Sequence, residues 1–398
     1  MRKITLEDLT NEQRNIVEAA ADFYFNSSSQ IFQFSGPAGT GKSVVMNAIF
    51  KRIGLEQHEI APMSYVGAAA IVMRLKGLYN AKTIHSTIYE PVEVLDENNI
   101  DPNMNRPRKK IIFRKRKYLH GIKAIGIDEG SQVPENMKND ILSFGLKVFV
   151  CGDLNQLPPV KDAPAFLYTG KVFYLTEIMR QNRDNAIIYL SQRILNHQKL
   201  EPGWYGNVGV IYKKDLSPKM IERADVVLCG FNRTREKMNH FIRENLLGFH
   251  GQLPHYGERM ICRKNNWQIA QDGINLANGL IGTVRNSPDL TGFEKGVYTM
   301  DFAPDLFNGV FRGLKCDYEY LHASPEEKQR IKNYKHRNEK FEYAYAITTH
   351  ISQGSQYGQG IYIKEPFGSE AMNMHLDYTA ITRFSKSCWF VLPERKYY

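Results

Sequence analysis

One octapeptide constrains this chain more than any other feature: Gly36-Pro37-Ala38-Gly39-Thr40-Gly41-Lys42-Ser43. It follows an apolar run, residues 31–35 (IFQFS), that reads as a strand, and it leads into a segment that reads as a helix from Ser43 to about Arg52. The spacing matches GxxxxGK[ST] in full. Glycines let backbone N–H groups wrap closely around a phosphate, and a helix starting at the loop's end turns its positive end toward the same charge. Lys42 is then placed to reach the β- and γ-phosphates, and the Ser43 hydroxyl to ligate Mg²⁺. The alternative, a bare glycine turn before a helix, fits poorly with the strand–loop–helix setting.

Such a unit belongs in a parallel sheet, and the neighbouring sequence supplies one. Residues 11–25 read as a helix with Ile16, Ala19, Ala20 and Phe23 on one face. Residues 59–62 read as a strand before a helix from Gly67 to Gly77, and 122–127 and 146–151 are apolar runs of buried-strand type. Asp128-Glu129 follows the first of these runs. At a strand's C-terminal end, Asp128 can hold Mg²⁺ through water and Glu129 can polarise the attacking water as general base. After the second run comes Gly152-Asp153-Leu154-Asn155-Gln156-Leu157-Pro158-Pro159-Val160. Gln156 either senses the γ-phosphate or sits in a loop stiffened by prolines, and the residues alone leave both open.

Residues 89–120 break the alternation with Pro91, Asp101-Pro102, Arg106-Pro107 and the basic run RPRKKIIFRKRK. They predict an inserted hairpin, strands near 92–95 and 110–114 joined by a polar loop from Asp96 to Arg108. Beyond Arg183 the strand–helix pattern resumes, with helices near 184–196 and 233–246 and a strand at 225–229. A β-rich stretch from Gly257 to Tyr320 has closely spaced turn signals, as in a small barrel. A charged helix at 324–338 precedes a last α/β portion, 341–393.

At 398 residues the chain has room for two to three domains. Its formal net charge of +10 suits a polyanionic partner, most commonly nucleic acid, and suits about equally a basic protein with none. The five cysteines are too far apart for zinc spacing and suit a reducing compartment. No signal-peptide pattern and no long apolar run appear, so a cytoplasmic protein without a membrane span is expected.

The order of these motifs resembles the superfamily 1 helicases, in particular the 5′-to-3′ branch of RecD-like and phage Dda-like enzymes. Leu9-Thr10-Asn11-Glu12-Gln13 looks like the N-terminal glutamine motif of that branch, in which Gln13 would read adenine. The octapeptide (Gly36, Gly39, Thr40, Gly41, Lys42 and Ser43 foremost) resembles motif I, IDEGS motif II, and GDLNQLPPV motif III, which makes Gln156 a candidate sensor. Leu175-Thr176-Glu177-Ile178-Met179-Arg180-Gln181 is similar to motif IV, whose arginine, here Arg180, reaches the γ-phosphate. Thr348-Thr349-His350-Ile351-Ser352-Gln353-Gly354-Ser355 resembles motif V, and Tyr378-Thr379-Ala380-Ile381-Thr382-Arg383 motif VI, with a second arginine finger at Arg383. Matches run from about residue 9 to 384. Gly130 stands where Ala is usual and Ile351 where Lys is common. Gln356 replaces the Glu that holds the ribose, which implies looser discrimination between ribose and deoxyribose nucleotides around Gly354 and Gln356.

The resemblance implies an α/β protein of two RecA-like parallel-sheet P-loop domains, residues 1–178 and 179–398, with ATP and Mg²⁺ at their interface. It implies a duplex-splitting pin hairpin inserted at about 86–120 and an SH3-like β-barrel inserted at about 285–342. Single-stranded and forked DNA are the implied partners, with RNA not excluded, and a monomeric bacterial or phage-encoded protein is the expected setting. The strand would be lined by Pro62 and Ser64, by Thr83 and His85, by Asn232, and by Thr349 and His350. Two rival readings remain at this point: an ATP-driven single-strand translocase that does not unwind, and an ATP-gated nucleic-acid binding module. The base and both arginines speak against the second.

Overall fold

A computed structural model describes residues 6–101, 106–159, 165–177, 186–271, 274–286, 288, 296–333 and 338–394. The chain divides into two compact units. The first comprises Met1–Tyr65, Met73–Leu154 and Pro158–Met179, and the second Val66–Val72, Asn155–Leu157 and Arg180–Tyr398.

The first part of the chain runs α1 (Asn11–Asn26), β1 (Ile31–Ser35), α2 (Lys42–Arg52), β2 (Ile60–Ser64), α3 (Gly67–Leu75), β3 (Lys82–Thr83), α4 (Ile84–Ile88), β4 (Tyr89–Asp101), β5 (Arg106–Lys115), β6 (Ala124–Asp128), α5 (Glu135–Leu142), β7 (Lys147–Gly152) and β8 (Val172–Tyr174). Six strands form a sheet in the order β3-β2-β6-β7-β1-β8, parallel at every pairing. Successive residues of a strand face opposite ways, and each face acquires its own core. Phe149 packs with Phe32, Phe34 and Phe50 on one side, while its neighbours Val148 and Val150 pack with Ile125, Ile127 and Met63 on the other. Helix α1 starts at a capping box between Thr10 and Gln13 and buries Ile16, Val17, Ala20 and Phe23, with Ala19 only partly covered.

The inserted hairpin is present, and its strands are longer than the sequence suggests. β4 and β5 pair antiparallel from Tyr89↔Lys115 to Asp101↔Arg106, with an irregularity between Asp96 and Ile100. Much of the segment read as a polar loop is therefore strand. The polar and charged residues between Asp96 and Arg108 carry no apolar alternation by which to recognise strand. Residues 102–105, at the expected tip, lie outside the described residues.

The second unit runs α6 (Ala186–Leu195), β9 (Gly203–Tyr205), β10 (Val208–Tyr212), α7 (Pro218–Glu222), β11 (Val226–Cys229), α8 (Asn232–His240), β12 (Arg259–Cys262), β13 (Asn266–Gln271), β14 (Ile274–Leu276), β15 (Ile281–Val284), β16 (Val297–Pro304), β17 (Phe311–Asp317), α9 (Tyr318–His322), α10 (Pro325–Asn333), β18 (Phe341–Tyr343), β19 (Ala346–Thr348), β20 (Tyr357–Ile363), α11 (Glu370–Ile381) and β21 (Phe384–Leu392). A second six-stranded sheet has the order β19-β11-β20-β21-β10-β9, parallel except at β9. The helix expected over 233–246 is α8 followed by a π-helical turn, Phe241–Leu246. Helix α10 ends its described part at Asn333, and 334–337 of the expected charged helix lie outside the described residues.

Between α8 and β19 the chain builds a separate antiparallel sheet, β17-β16-β15-β12-β18. It curls into a half-barrel. The Asp317 N–H donates to the Glu339 carbonyl (2.9 Å) and the Glu339 N–H to the Lys315 carbonyl (2.7 Å), which brings β17 against the residue two places ahead of β18. This sheet begins at Arg259, earlier than the expected 285, because β12 and β15 are its inner strands. Glu342 on β18 is buried and pairs with Arg235 of α8 (2.5 Å), Arg263 (3.3 Å) and Lys328 (3.3 Å). Burial alone would raise its pKa, but the surrounding Arg263, Arg235 and Lys328 bring it down to about 2.

Candidate nucleotide site and nucleic-acid surfaces

The phosphate loop joins β1 to α2. Gly39 (φ 94°) and Gly41 (φ 82°) both adopt the left-handed conformation, and Gly41 is the N-cap of α2. A Cβ at Gly41 would lie 2.7 Å from Gln13 Nε2, so this position needs glycine for conformation and for space. The Lys42 ammonium donates to the Gly36 (2.7 Å) and Pro37 (3.0 Å) carbonyls of its own loop. Thr40 is buried, and its hydroxyl donates to the Pro37 carbonyl (3.0 Å). Gln13 braces the loop: Nε2 donates to the Thr40 carbonyl (3.0 Å) and Oε1 accepts from the Thr10 N–H (3.1 Å). Glu12, in the same motif, was not singled out by sequence reasoning. Its carboxylate accepts from Thr176 N–H (2.8 Å), Thr176 Oγ1 (2.8 Å) and Glu177 N–H (3.0 Å). Those bonds fasten α1 to the segment after β8.

Strand β6 delivers the acidic pair. The Ser43 hydroxyl donates to Asp128 Oδ2 at 2.9 Å, so the two oxygen donors that Mg²⁺ requires already stand side by side. Asp128 Oδ1 accepts from the Glu129 N–H (2.9 Å) and the Cys151 thiol (3.2 Å). Burial, and after it the charge of Asp128, pushes the Cys151 thiol well above its usual range, which keeps it protonated as a donor. Glu129 has φ 56°, a conformation few non-glycine residues adopt, at the turn from β6 into the following 3₁₀ turn. Among the described residues no cluster of three or more His, Cys, Asp or Glu could hold a metal by protein ligands alone. A hydroxyl, one carboxylate and a phosphate loop are the donor set that suits Mg²⁺ carried in on a nucleotide. Lys76, also unremarked in the sequence, has its Nζ 3.4 Å from Ser43 Oγ.

In the second unit, the motif III loop is clamped by the later motifs. Gln353 Nε2 donates to the Leu157 carbonyl (2.9 Å), the Leu157 N–H donates to Thr379 Oγ1 (2.9 Å), and His375 Nδ1 lies 2.8 Å from the Asn155 carbonyl. Gln156, between these anchors, is buried. Gly354 (φ 77°) packs so closely that a Cβ would lie 2.8 Å from Ala69 Cβ, while Gln356 is exposed. Arg383 is 5% exposed. Its Nη1 reaches the Ser355 carbonyl at 3.4 Å, its Nε has no hydrogen-bond partner, and no carboxylate among the described residues pairs with it. Arg180 lies outside the described residues.

The expected strand-lining residues separate into two groups. Pro62 and Ser64 are buried in β2, where they pair with Gly126 and Asp128 of β6, and Thr349 is buried with its N–H and hydroxyl on the Cys229 carbonyl. The side chains of these three are covered here, and the exposed residue at the end of β2 is Tyr65, 44% exposed. Thr83 is likewise mostly buried and caps α4 through the Ser86 N–H (3.2 Å). Asn232 is exposed, and His85 and His350 are half-buried. His85 packs against Tyr89 (4.8 Å) and Phe113 (4.5 Å), and burial lowers the pKa of both histidines, so each ring is neutral near pH 7.

A phosphate loop beside a Ser–Asp pair, on one of two RecA-like parallel sheets, defines a P-loop nucleotide-binding protein. The model of the AAA domain family matches residues 8–215, just over half of the chain. The chain belongs to that family. It is 26% identical over 90% of its length to an uncharacterized protein of Methanocaldococcus jannaschii, covering 36% of that protein. It is 28% identical over 70% of its length to the ATP-dependent DNA helicase Pif1 of a Psychrobacter species, covering 42% of it. The chain thus spans about two fifths of the length of these curated relatives. Its fold is similar to Pif1 helicase solved at forked double-stranded DNA (TM-score 0.58, 18% identity, 97% of this chain and 94% of that one). It is also similar to Bacteroides Pif1 bound to ADP-AlF3 and single-stranded DNA (TM-score 0.56, 18% identity, 98% and 95%). No helix among the described residues is long and apolar enough to cross a membrane.

Proposed function

We propose that this chain is an ATP-dependent DNA helicase that moves 5′-to-3′ along single-stranded DNA and separates duplex. The observation that carries the reading is the constellation of Lys42, Ser43, Asp128 and Glu129 at the end of one parallel sheet. The Lys42 ammonium, now on the Gly36 and Pro37 carbonyls, exchanges them for the β- and γ-phosphates. Ser43 and Asp128 are the residues that would hold Mg²⁺, which when bound neutralises charge on the phosphates. Glu129, held at the strand end by its strained turn, takes the proton of the attacking water. Arg383, a buried guanidinium with no carboxylate partner, meets the charge that develops on the transferred phosphoryl group, together with Arg180. Cycles of binding and hydrolysis alternate tight and loose grip on the strand and so produce steps along it.

The DNA substrate rests on what the similar Pif1 proteins bind, single-stranded and forked DNA, and the polarity rests on the resemblance of the motifs. The β4–β5 ribbon is proposed as the pin that separates the duplex, and the curled half-barrel as an SH3-like module. A monomer is the proposed working form. The test is ATP turnover with and without single-stranded DNA and Mg²⁺: the reading requires hydrolysis that needs Mg²⁺ and rises with DNA. A chain that turns over no ATP under those conditions is not this enzyme.

A further inference from the structure

We propose that Phe231 and Phe367 form a stacking platform for one base of single-stranded DNA, beside His350 in the second unit. The inference rests on the nucleic-acid reading above and names a contact within it. Phe231 ends the turn between β11 and α8 and is 40% exposed. Its ring lies 5.2 Å from that of Phe367, and the Phe367 ring lies 5.5 Å from the imidazole of His350. Three flat side chains from three separate loops thus adjoin, Phe231 exposed and Phe367 and His350 half-buried. A phenyl ring gains more from burial than from water, so rings held out in this way suit a flat partner.

The rings are held, not loose. The Glu365 carboxylate accepts from the Gly230 N–H (2.8 Å), the Phe231 N–H (3.1 Å) and the Thr234 hydroxyl, which fixes the Phe231 turn. The Phe367 N–H donates to Asn373 Oδ1 (2.6 Å), which fixes the other loop. The same carboxylate decides the kind of ligand. It already occupies the N–H groups ahead of α8 and repels a phosphate placed over them, whereas the uncharged face of a base meets no such penalty. The phosphates on either side have Asn232 and Arg233, both exposed on the first turn of α8. Burial keeps the His350 ring neutral, so it too offers a face and not a cation. Stacking on such surfaces is tolerant of sequence, because every base has a π-face.

The experiment compares binding of the full chain to labelled oligothymidylate and to a strand of equal length carrying abasic sites, by fluorescence anisotropy at several salt concentrations. Wild type should prefer the base-bearing strand. Phe231→Leu and Phe367→Leu, which keep apolar volume but lose the π-face, should each weaken oligothymidylate binding about tenfold and shrink that preference, with the salt slope unchanged because no phosphate contact is lost. Phe231→Trp should retain both, and its added indole emission should be quenched by the strand. The proposal is overturned if both Leu variants bind the two strands as wild type does, or if the indole does not respond. Wild type that binds both strands equally and steeply with salt leaves the helicase reading standing and removes the platform. Wild type that binds neither strand removes both.

Discussion

At the residue scale, Lys42 and Glu129 lie on the same side of the proposed reaction but should fail differently. Lys42→Ala removes a charge-assisted partner of the phosphates, of the order of 1.5–3 kcal/mol, so the Kd for ATP should rise about 10- to 150-fold. Glu129→Gln keeps the side chain's shape and loses only the base, so ATP should bind as in wild type while turnover stops. Titrating a fluorescent ATP analogue and measuring phosphate release on both variants separates the two roles, and normal turnover in either would remove that residue from the mechanism. Arg383→Ala should lower DNA-stimulated turnover by about 10³–10⁵-fold with nucleotide affinity little changed, the effect typical of an arginine finger. Much of this was legible in the sequence, because a phosphate loop demands particular residues at particular spacings. Less legible were the side chains that hold the surrounding segments. Glu12 bonds Thr176 and Glu177, and Gln353 and Thr379 each bond a backbone group of Leu157, all distant in sequence, and no local pattern records such bonds. Pro62, Ser64 and Thr349 are buried, and a motif does not reveal which residue of a strand end is turned inward.

At the scale of elements, apolar runs located β1, β2, β6, β7 and β11 to within a residue or two, since buried strands must be apolar on both faces. The two inserted features were harder to bound. The β4–β5 ribbon runs on into a polar stretch without apolar alternation, and the half-barrel borrows β12 and β15 from a stretch that looked like its approach. Replacing residues 97–107 with a short Gly-Ser turn leaves Lys42, Asp128 and Glu129 in place. DNA-stimulated ATPase should survive it and duplex unwinding should fall strongly. Loss of both activities would show that the ribbon supports the fold instead. The half-barrel and α8 are joined through Glu342, whose stability contribution has a definite pH dependence. Its pKa is lowered from 4.5 to about 2. The stabilisation is therefore complete above about 4.5 and is lost as pH falls toward about 2. Glu342→Gln leaves Arg235, Arg263 and Lys328 without their shared counter-charge and should cost about 3–5 kcal/mol. It should also flatten the acid limb of the stability curve over that window. Urea unfolding of both proteins from pH 7 downward checks this, and an unchanged acid limb would show that Glu342 does not titrate as assigned.

For the molecule as a whole, the order of motifs along one chain implied far more than any one of them, and the two parallel sheets supply the framework that order requires. On the proposed reading, what the chain does with ATP is work on a strand. The most direct measurement is strand separation on three duplexes of equal length, one with a 5′ single-stranded tail, one with a 3′ tail and one blunt, with ATP and Mg²⁺ present. The account predicts that the 5′-tailed duplex is unwound, that the 3′-tailed and blunt duplexes are not, and that Glu129→Gln unwinds none of them. Hydrolysis stimulated by single strands without separation of the 5′-tailed duplex, or separation that persists in Glu129→Gln, would contradict it.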